Sequence, residues 1–149
     1  MPVERSAGII VFRKTPRGRR YLVIRASRNF SEVAKGRKVH EFWDFPKGRL
    51  DKGETGIGAA LREAKEEVGL DNFEVVPDFK ETIRYFTWRG GKPIPKFVAL
   101  FLARTKTSKV KLSWEHDKYE WLSYTEAVRL VTLPQMKDAL RKSENFLSR

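Results

Sequence analysis

The sequence predicts an α/β fold, a sandwich in which one central helix and one C-terminal helix cover a mixed β-sheet. Short apolar runs bounded by turn residues recur on both sides of the central segment, as is typical of strands. Apolar residues at helical spacing occur between Thr55 and Gly69 and again between Pro134 and Phe146. Because the chain has 149 residues, we expect residues 1–149 to form a single domain with one core.

The N-terminal third contains two predicted strands. Residues 5–13 include the apolar run Gly8–Phe12 and predict a buried strand. After a turn at residues 16–19, residues 21–25 predict the strand that returns. A long polar connection follows at residues 27–41, and it separates these strands from the central helix.

The C-terminal half contains further strands and two helices. The dipeptide Gly90-Gly91 between two apolar runs is typical of a β-hairpin. Pro134 suits the first turn of a helix, where its missing N–H group has no partner to lose. The predicted strands are 73–76, 80–88, 96–104 and 119–122, and the predicted helices are 125–131 and 134–146.

The central helix presents two different faces. Thr55 can cap its start, and Gly69 can end it in the left-handed conformation. The apolar stripe consists of Ile57, Ala60, Leu61, Ala64 and Val68. Glu63, Glu66 and Glu67 lie outside that stripe, at spacings that bring three carboxylates to one side of the helix. Because these like charges repel one another, the pattern favours a bound divalent cation and hence metal-assisted chemistry.

Composition narrows the class of protein. The chain has no cysteine, so disulfides and thiolate metal sites are excluded. Its apolar runs are too short to span a membrane and its N-terminus lacks the layout of a signal peptide, so we expect a cytoplasmic protein. The net charge is +12, and residues 1–40 hold eleven Lys or Arg against two Glu. This basic third indicates a polyanionic partner, for which nucleic acid is one candidate.

The segment from Gly48 to Leu70 resembles the Nudix box. The pattern of that box is G-x5-E-x7-R-E-U-x-E-E-x-G-U, in which U is a bulky apolar residue. The matching positions are Gly48, Glu54, Arg62, Glu63, Glu66, Glu67, Gly69 and Leu70. Ala64 stands at one U position, where it still suits the buried stripe of the helix. The resemblance implies a Nudix-type α/β/α sandwich that hydrolyses a nucleoside diphosphate linked to a further group.

Two runs outside the box resemble one group within that family, the asymmetric diadenosine tetraphosphate hydrolases. Residues 43–48 match W-x-x-P-K-G, and residues 113–122 match S-x-E-H-x-x-Y-x-W-L. Arg49-Leu50 departs from the usual His and Val, on the substrate side of the site. The likeness covers nearly the whole chain from Arg5 and implies cleavage of diadenosine tetraphosphate to ATP and AMP.

The resemblance and the residue types together assign roles in this reaction. Mg²⁺, with Mn²⁺ as a substitute, is the expected cofactor because it takes oxygen ligands. The expected metal ligands are Glu63, Glu66, Glu67 and Glu115. Glu66 is the expected general base with Glu63 next, and Arg62 is expected to orient a carboxylate such as Glu54. The expected substrate-binding residues are Arg25, Lys47, Tyr85, Lys92, Lys96 and Tyr119.

Several alternatives stay open. For Tyr85 and Tyr119, packing in the core competes with stacking on adenine. A pyrophosphohydrolase acting on an inositol pyrophosphate, a nucleoside triphosphate or the 5′ triphosphate of RNA would also suit the basic N-terminal third. A non-catalytic nucleotide or RNA sensor is an alternative of another class, although every box glutamate is present. The expected partner is a small dinucleoside polyphosphate, with an RNA 5′ end as the second candidate and no membrane.

Overall fold

The computed structural model describes residues 3–27 and 41–149. The strands in this part of the chain are β1 (Glu4–Thr15), β2 (Gly18–Ala26), β3 (Trp43–Asp44), β4 (Lys47–Arg49), β5 (Glu74–Val75), β6 (Glu81–Arg89), β7 (Lys92–Arg104) and β8 (His116–Leu122). The helices are α1 (Gly56–Val68), α2 (Tyr124–Leu130) and α3 (Pro134–Leu147). None of these three helices is long and apolar enough to cross a membrane.

Strand β1 organises the sheet because it pairs with several other strands. It runs parallel to β7, from Glu4 opposite Lys96 to Phe12 opposite Arg104. It runs antiparallel to β2 and to β4. Strand β8 extends the sheet beyond β2, and β6 and β7 form a hairpin. A parallel pair among antiparallel ladders makes the sheet mixed, which confirms the prediction.

Helices cover both faces of this sheet. Successive residues of β1 point to opposite faces, so Ile9 and Ile10 belong to different core clusters. Ala64 of α1 is buried in the cluster that contains Ile9. Leu140 of α3 is buried in the cluster that contains Ile10, to which α2 also contributes. The predicted α/β/α sandwich, with a central and a C-terminal helix, is confirmed.

Local signals fix the ends of the helices. The Thr55 Oγ1 atom accepts a hydrogen bond from the backbone N of Gly58 at 3.1 Å. Gly69 ends α1 in the left-handed conformation, with a φ of 71°. Pro134 stands in the first turn of α3. These three predictions are confirmed, and a capping box of Ser123 and Glu126 additionally starts α2.

Strand β7 begins earlier than the sequence predicts. The predicted start is Lys96, whereas the strand begins at Lys92 and contains Pro93 and Pro95. The two prolines are two residues apart, so their nitrogens face the same edge of the strand. Among the described residues, the ladder between β1 and β7 begins at Lys96, so no described residue of β1 needs an N–H donor from either proline.

Strands β3 and β4 are absent from the sequence prediction. Two- and three-residue strands are too short to show an alternating pattern. Strand β4 nevertheless matters, because Gly48 pairs with Ala7 and thereby seats the start of the box beside the central strand. Most of the polar connection predicted at residues 27–41 lies outside the described residues, as does His40.

Candidate active site

A cleft of about 480 Å³ opens where β1, β4, α1 and the segment leading into β8 meet. Both carboxylates and lysines line it. The predicted site residues among its walls are Lys47, Glu63, Glu67, Lys96 and Glu115. The fold therefore collects these side chains from four separate segments of the chain.

Glu67 is the most enclosed carboxylate of the box, with only 6% of its surface exposed. Its Oε2 atom accepts a hydrogen bond from the backbone N of Lys47 at 3.0 Å. The pKa of Glu67 is raised to about 8, mainly by burial; the charges of Glu63 and Glu115 add to the shift, and Lys47 opposes it. The ionised form of the Glu67 carboxylate is therefore unfavourable here, and a nearby bound cation would stabilise that negative charge.

This raised pKa predicts how the stability of the metal-free protein depends on pH. Glu67 holds its proton more tightly in the folded chain than in the unfolded one. The bound proton therefore adds to the free energy of unfolding. This contribution is fully present below about pH 4.5 and is lost as the pH rises through about 8. In EDTA, urea denaturation should show a smaller free energy of unfolding at pH 9 than at pH 6, by on the order of 2 kcal/mol.

The matched variants are Glu67→Gln and Glu74→Gln. Glutamine at position 67 removes the titration, so its stability should change less between pH 6 and pH 9. Glu74 is exposed in β5, so Glu74→Gln should behave like the wild type. A wild-type stability that is flat across this range would contradict the assignment.

Glu63 lies directly over the backbone of Gly48. A Cβ atom at position 48 would lie 2.0 Å from the Cδ atom of Glu63, a separation that atoms do not tolerate. The pKa of Glu63 is raised by burial first and then by the charges of Glu66 and Glu115, while Arg62 opposes the shift. Because Gly48, the first glycine of the box, has no side chain, it leaves room for the Glu63 carboxylate.

Arg62 holds several carboxylates of the box in place. Its Nε and Nη2 atoms donate to the two oxygens of Glu54 at 2.7 and 2.9 Å. Its Nη1 atom donates to Glu63 at 2.9 Å and to Glu66 at 3.1 Å. Arg62 lowers the pKa of Glu54, and Glu54 is the main cause of the raised pKa of Arg62. This placement suits the predicted orienting role, which stays a prediction.

The four predicted metal ligands differ in their surroundings. Glu63, Glu67 and Glu115 line the cleft, whereas the Glu66 side chain is 57% exposed and pairs with Arg62. Across residues 3–27 and 41–149, no three Asp, Glu or His side chains are already grouped to hold one ion. The donor type fits a hard divalent cation, as do the raised pKa values of the two enclosed carboxylates. The assignment of all four as ligands stays a prediction.

Lys47 and Lys96 supply the cationic part of the cleft. Burial disfavours the charge of Lys47, but the nearby Asp44 carboxylate, with which it forms an ion pair, raises its pKa on balance. The pKa of Lys96 is lowered by burial and by the charge of Lys47. The Nζ atom of Lys96 lies 5.6 Å from the centre of the Tyr85 ring. Tyr85 itself is not among the described residues that line the cleft, and it packs against the core cluster that contains Leu140, so its stacking on a base stays a prediction.

Arg25, Lys92 and Tyr119 are not among the described residues that line the cleft. Arg25 donates to Asp117 at 2.7 Å and to Glu41 at 3.0 Å. Lys92 is exposed at the turn of the β6–β7 hairpin. Tyr119 packs against the core cluster on the α1 side of the sheet. The structure does not bring these three together with the carboxylates, and their substrate roles stay predictions.

The cleft also contains residues to which the sequence analysis gave no substrate role. Ser6 and His116 line it, and within the described chain the Ser6 hydroxyl and the His116 Nδ1 atom are buried without a hydrogen-bond partner. Burial lowers the pKa of His116. Residues 6–12 of β1 are all buried, so the strand shows no alternation of polar and apolar residues that could have marked Ser6 as a cleft residue.

Comparisons with known proteins show what this chain is similar to. The Nudix domain model matches residues 2–143. The asymmetrical bis(5′-nucleosyl)-tetraphosphatase of Sus scrofa is 33% identical over 149 residues, which cover 96% of this chain and 95% of that relative. The RNA pyrophosphohydrolase of Nitratiruptor sp. is 43% identical over 109 residues, which cover 67% of this chain and 70% of that relative.

A solved structure shares the same architecture. The binary complex of the C. elegans Ap4A hydrolase superposes with a TM-score of 0.81 and 31% identity, and the match covers 98% of each chain. Members of the Nudix family generally use divalent metal ions, which accords with the carboxylates in the cleft. The family match runs from before β1 into α3, so the chain belongs to the Nudix hydrolase family, as the segment from Gly48 to Leu70 predicts.

Proposed function

We propose that this protein hydrolyses a phosphoanhydride bond in dinucleoside polyphosphates and that it cleaves diadenosine tetraphosphate to ATP and AMP. One observation carries the proposal, namely that a single cleft holds Glu63 and Glu67 together with Lys47 and Lys96. A polyphosphate needs cations to bind its oxygens and a charged centre at which to react. Asymmetrical bis(5′-nucleosyl)-tetraphosphatases align with nearly the whole chain, which also supports residues 1–149 acting as one domain.

The proposed cofactor is Mg²⁺, with Mn²⁺ as a substitute. Its proposed ligands are Glu63, Glu66, Glu67 and Glu115. Carboxylate oxygens are the ligands that Mg²⁺ prefers, and Glu67 is poised to gain most from a nearby positive charge. When bound, the cation supplies positive charge to the polyphosphate and lowers the pKa of a water molecule.

The side chains of the protein carry the remaining parts of the reaction. Lys47 and Lys96 bind phosphate oxygens, and the Tyr85 ring offers its face to an adenine. Arg62 orients Glu63 through the contact of 2.9 Å. As water attacks phosphorus, Glu66 accepts its proton, and the bond from that phosphorus to the bridging oxygen breaks. Glu63, which lies within the cleft itself, is the second candidate for this proton.

Product analysis tests the proposal directly. In ¹⁸O-labelled water with Mg²⁺, we expect ATP and AMP in equal amounts, with the label in only one of them. The reason is that each turnover adds one water oxygen to one phosphorus. Mass spectrometry of the separated nucleotides measures both quantities. Recovery of two ADP would contradict the asymmetric reaction, and tight binding without turnover in Mg²⁺ or Mn²⁺ would favour a nucleotide sensor.

A pyrophosphohydrolase acting on RNA 5′ ends is the second candidate. The observation that favours it is the 43% identity to an RNA pyrophosphohydrolase over 109 residues. A panel of diadenosine tetraphosphate, 5′-triphosphorylated RNA, a nucleoside triphosphate and an inositol pyrophosphate separates the candidates by kcat/KM. We expect kcat/KM to be highest for the dinucleotide. A higher kcat/KM for the RNA would favour an RNA pyrophosphohydrolase instead.

A further inference from the structure

The β6–β7 hairpin carries exposed aromatic residues on the face opposite to Tyr85. Side chains alternate along a strand, so Phe86 and Trp88 share one face of β6 while Tyr85 lies on the other. Phe86 pairs with Pro95 and Trp88 pairs with Pro93. We call Phe86, Trp88, Pro93 and Pro95 the hairpin platform. It is an apolar surface that projects beyond the part of β7 that β1 covers.

Both aromatic rings are exposed in the described part of the chain. Phe86 is 53% exposed and Trp88 is 69% exposed. Neither belongs to either of the core clusters in the described part of the chain. Residues two apart on a strand are about 7 Å apart, so both rings can receive flat groups side by side. The platform is therefore available for stacking with a ligand.

The surface beside the platform is cationic. The Arg84 guanidinium lies 5.0 Å from the centre of the Phe86 ring. The Arg5 guanidinium lies 5.6 Å from the centre of the Phe97 ring. Arg84, Phe97 and Arg5 occupy one row across three strands. The described positions on this face of the hairpin contain no Asp or Glu, and they are 82, 84, 86, 88, 93, 95, 97 and 99.

A cavity of about 200 Å³ continues from this row towards the start of α1. Its walls include Arg5, Lys80 and Thr82, and no acidic residue is among its described lining. Cationic groups with open space thus adjoin exposed aromatic rings, of which Phe86 contacts the Arg84 guanidinium. A ligand that fits both must carry negative charge and flat rings in alternation.

We propose that the hairpin platform, with Arg5 and Arg84, binds single-stranded nucleic acid. Bases stack on Phe86 and Trp88, and the backbone phosphates lie against the two arginines. A second copy of this chain is disfavoured as the occupant, because it would bring two surfaces without acids together in a protein of net charge +12. No cleft residue takes part, so the proposal goes beyond the hydrolysis of dinucleoside polyphosphates and stands or falls separately from it.

Binding of an RNA that cannot react in the cleft tests the platform. The probe is a short, labelled single-stranded oligoribonucleotide with a 5′ hydroxyl, measured by fluorescence anisotropy in EDTA. We expect the double variant Phe86→Ala/Trp88→Ala to bind at least about tenfold more weakly, since each stacked base loses its partner. Trp88→Phe keeps a ring and should bind within about twofold of the wild type.

Trp114→Ala is the matched control. Trp114 is 87% exposed but lies away from the platform, just before Glu115, so its loss should leave RNA affinity unchanged. Arg84→Gln should reduce the slope of log affinity against log salt by about 0.7. The double variant should keep the wild-type melting temperature, because both side chains are exposed, and should keep its rate on diadenosine tetraphosphate.

Three results would overturn the proposal. The first is unchanged RNA binding by a double variant that melts like the wild type. The second is an equal loss of affinity in Trp114→Ala, which would place the RNA elsewhere. The third is sedimentation of the wild type as a dimer that the double variant abolishes, which would identify the occupant as a second copy. Quenching of Trp88 fluorescence by the RNA, absent in Trp88→Phe, would support stacking independently.

Discussion

Replacing Glu67 by glutamine is expected to lower turnover of the dinucleotide by about a hundredfold or more. Glutamine keeps the shape of the side chain, and its oxygen can still accept the backbone N–H of Lys47, so the fold should stay intact. What the variant loses is the negative charge that we propose for the metal ion. The Mg²⁺ concentration that gives half-maximal rate should therefore rise, which a titration of rate against Mg²⁺ measures.

Glu66→Gln tests the proposed general base, which is also one of the four proposed metal ligands. It should lower kcat by about a hundredfold to ten-thousandfold, and a reduction that persists at saturating Mg²⁺ would indicate loss of the base rather than loss of metal affinity. Glu74→Gln, a change of the same kind far from the cleft in sequence, should keep wild-type turnover. Near-normal rates in both Glu66→Gln and Glu67→Gln would remove the two residues from the mechanism.

Local patterns account for the parts of this fold that the sequence predicts well. Helix α1 has a cap at Thr55, a left-handed terminator at Gly69 and an apolar stripe, and each depends on residues within a few positions. The acidic face of α1 follows from the same spacing. The difference in exposure between Glu66 and Glu67 does not follow from that spacing. It arises because strand β4 contacts Glu67, and the position of β4 is set by its pairing with β1.

Long-range pairing sets the remainder of the site. Lys96 enters the cleft only because β7 lies parallel to β1 with Lys96 opposite Glu4. Arg25 turns instead to Asp117, since β8 docks beside β2 with Arg25 opposite Lys118. Register between distant strands has no signature in a single sequence, whereas a one-residue change in register sends a side chain to the other face. It is therefore harder to predict from the sequence which cationic side chains reach the cleft than which carboxylates share one side of α1.

Replacing Gly48 by alanine is expected to damage the site through one methyl group. The new Cβ atom would lie 2.0 Å from the Cδ atom of Glu63 and 2.3 Å from its Oε1 atom. Strand β4 has little freedom to retreat, because Gly48 pairs with Ala7 while the backbone of Lys47 binds Glu67. The Glu63 side chain must therefore move and give up its contact with Arg62. We expect kcat/KM to fall by about a hundredfold, as when a positioned group is displaced by an ångström.

Stability measurements separate displacement of the Glu63 side chain from a general disruption of strand β4. Urea denaturation of Gly48→Ala should show a loss of less than about 1 kcal/mol, because the overlapping atoms are the end of a flexible side chain that can move aside. The double variant Gly48→Ala/Glu63→Ala removes the overlapping carboxylate, so it should regain most of that stability and remain inactive. Normal activity of Gly48→Ala would show that the Glu63 carboxylate does not need its position over Gly48. The proposed role of Glu63 at that position would then be contradicted. A double variant that stays unstable would instead locate the strain in the β4 backbone, because no carboxylate is then left to collide.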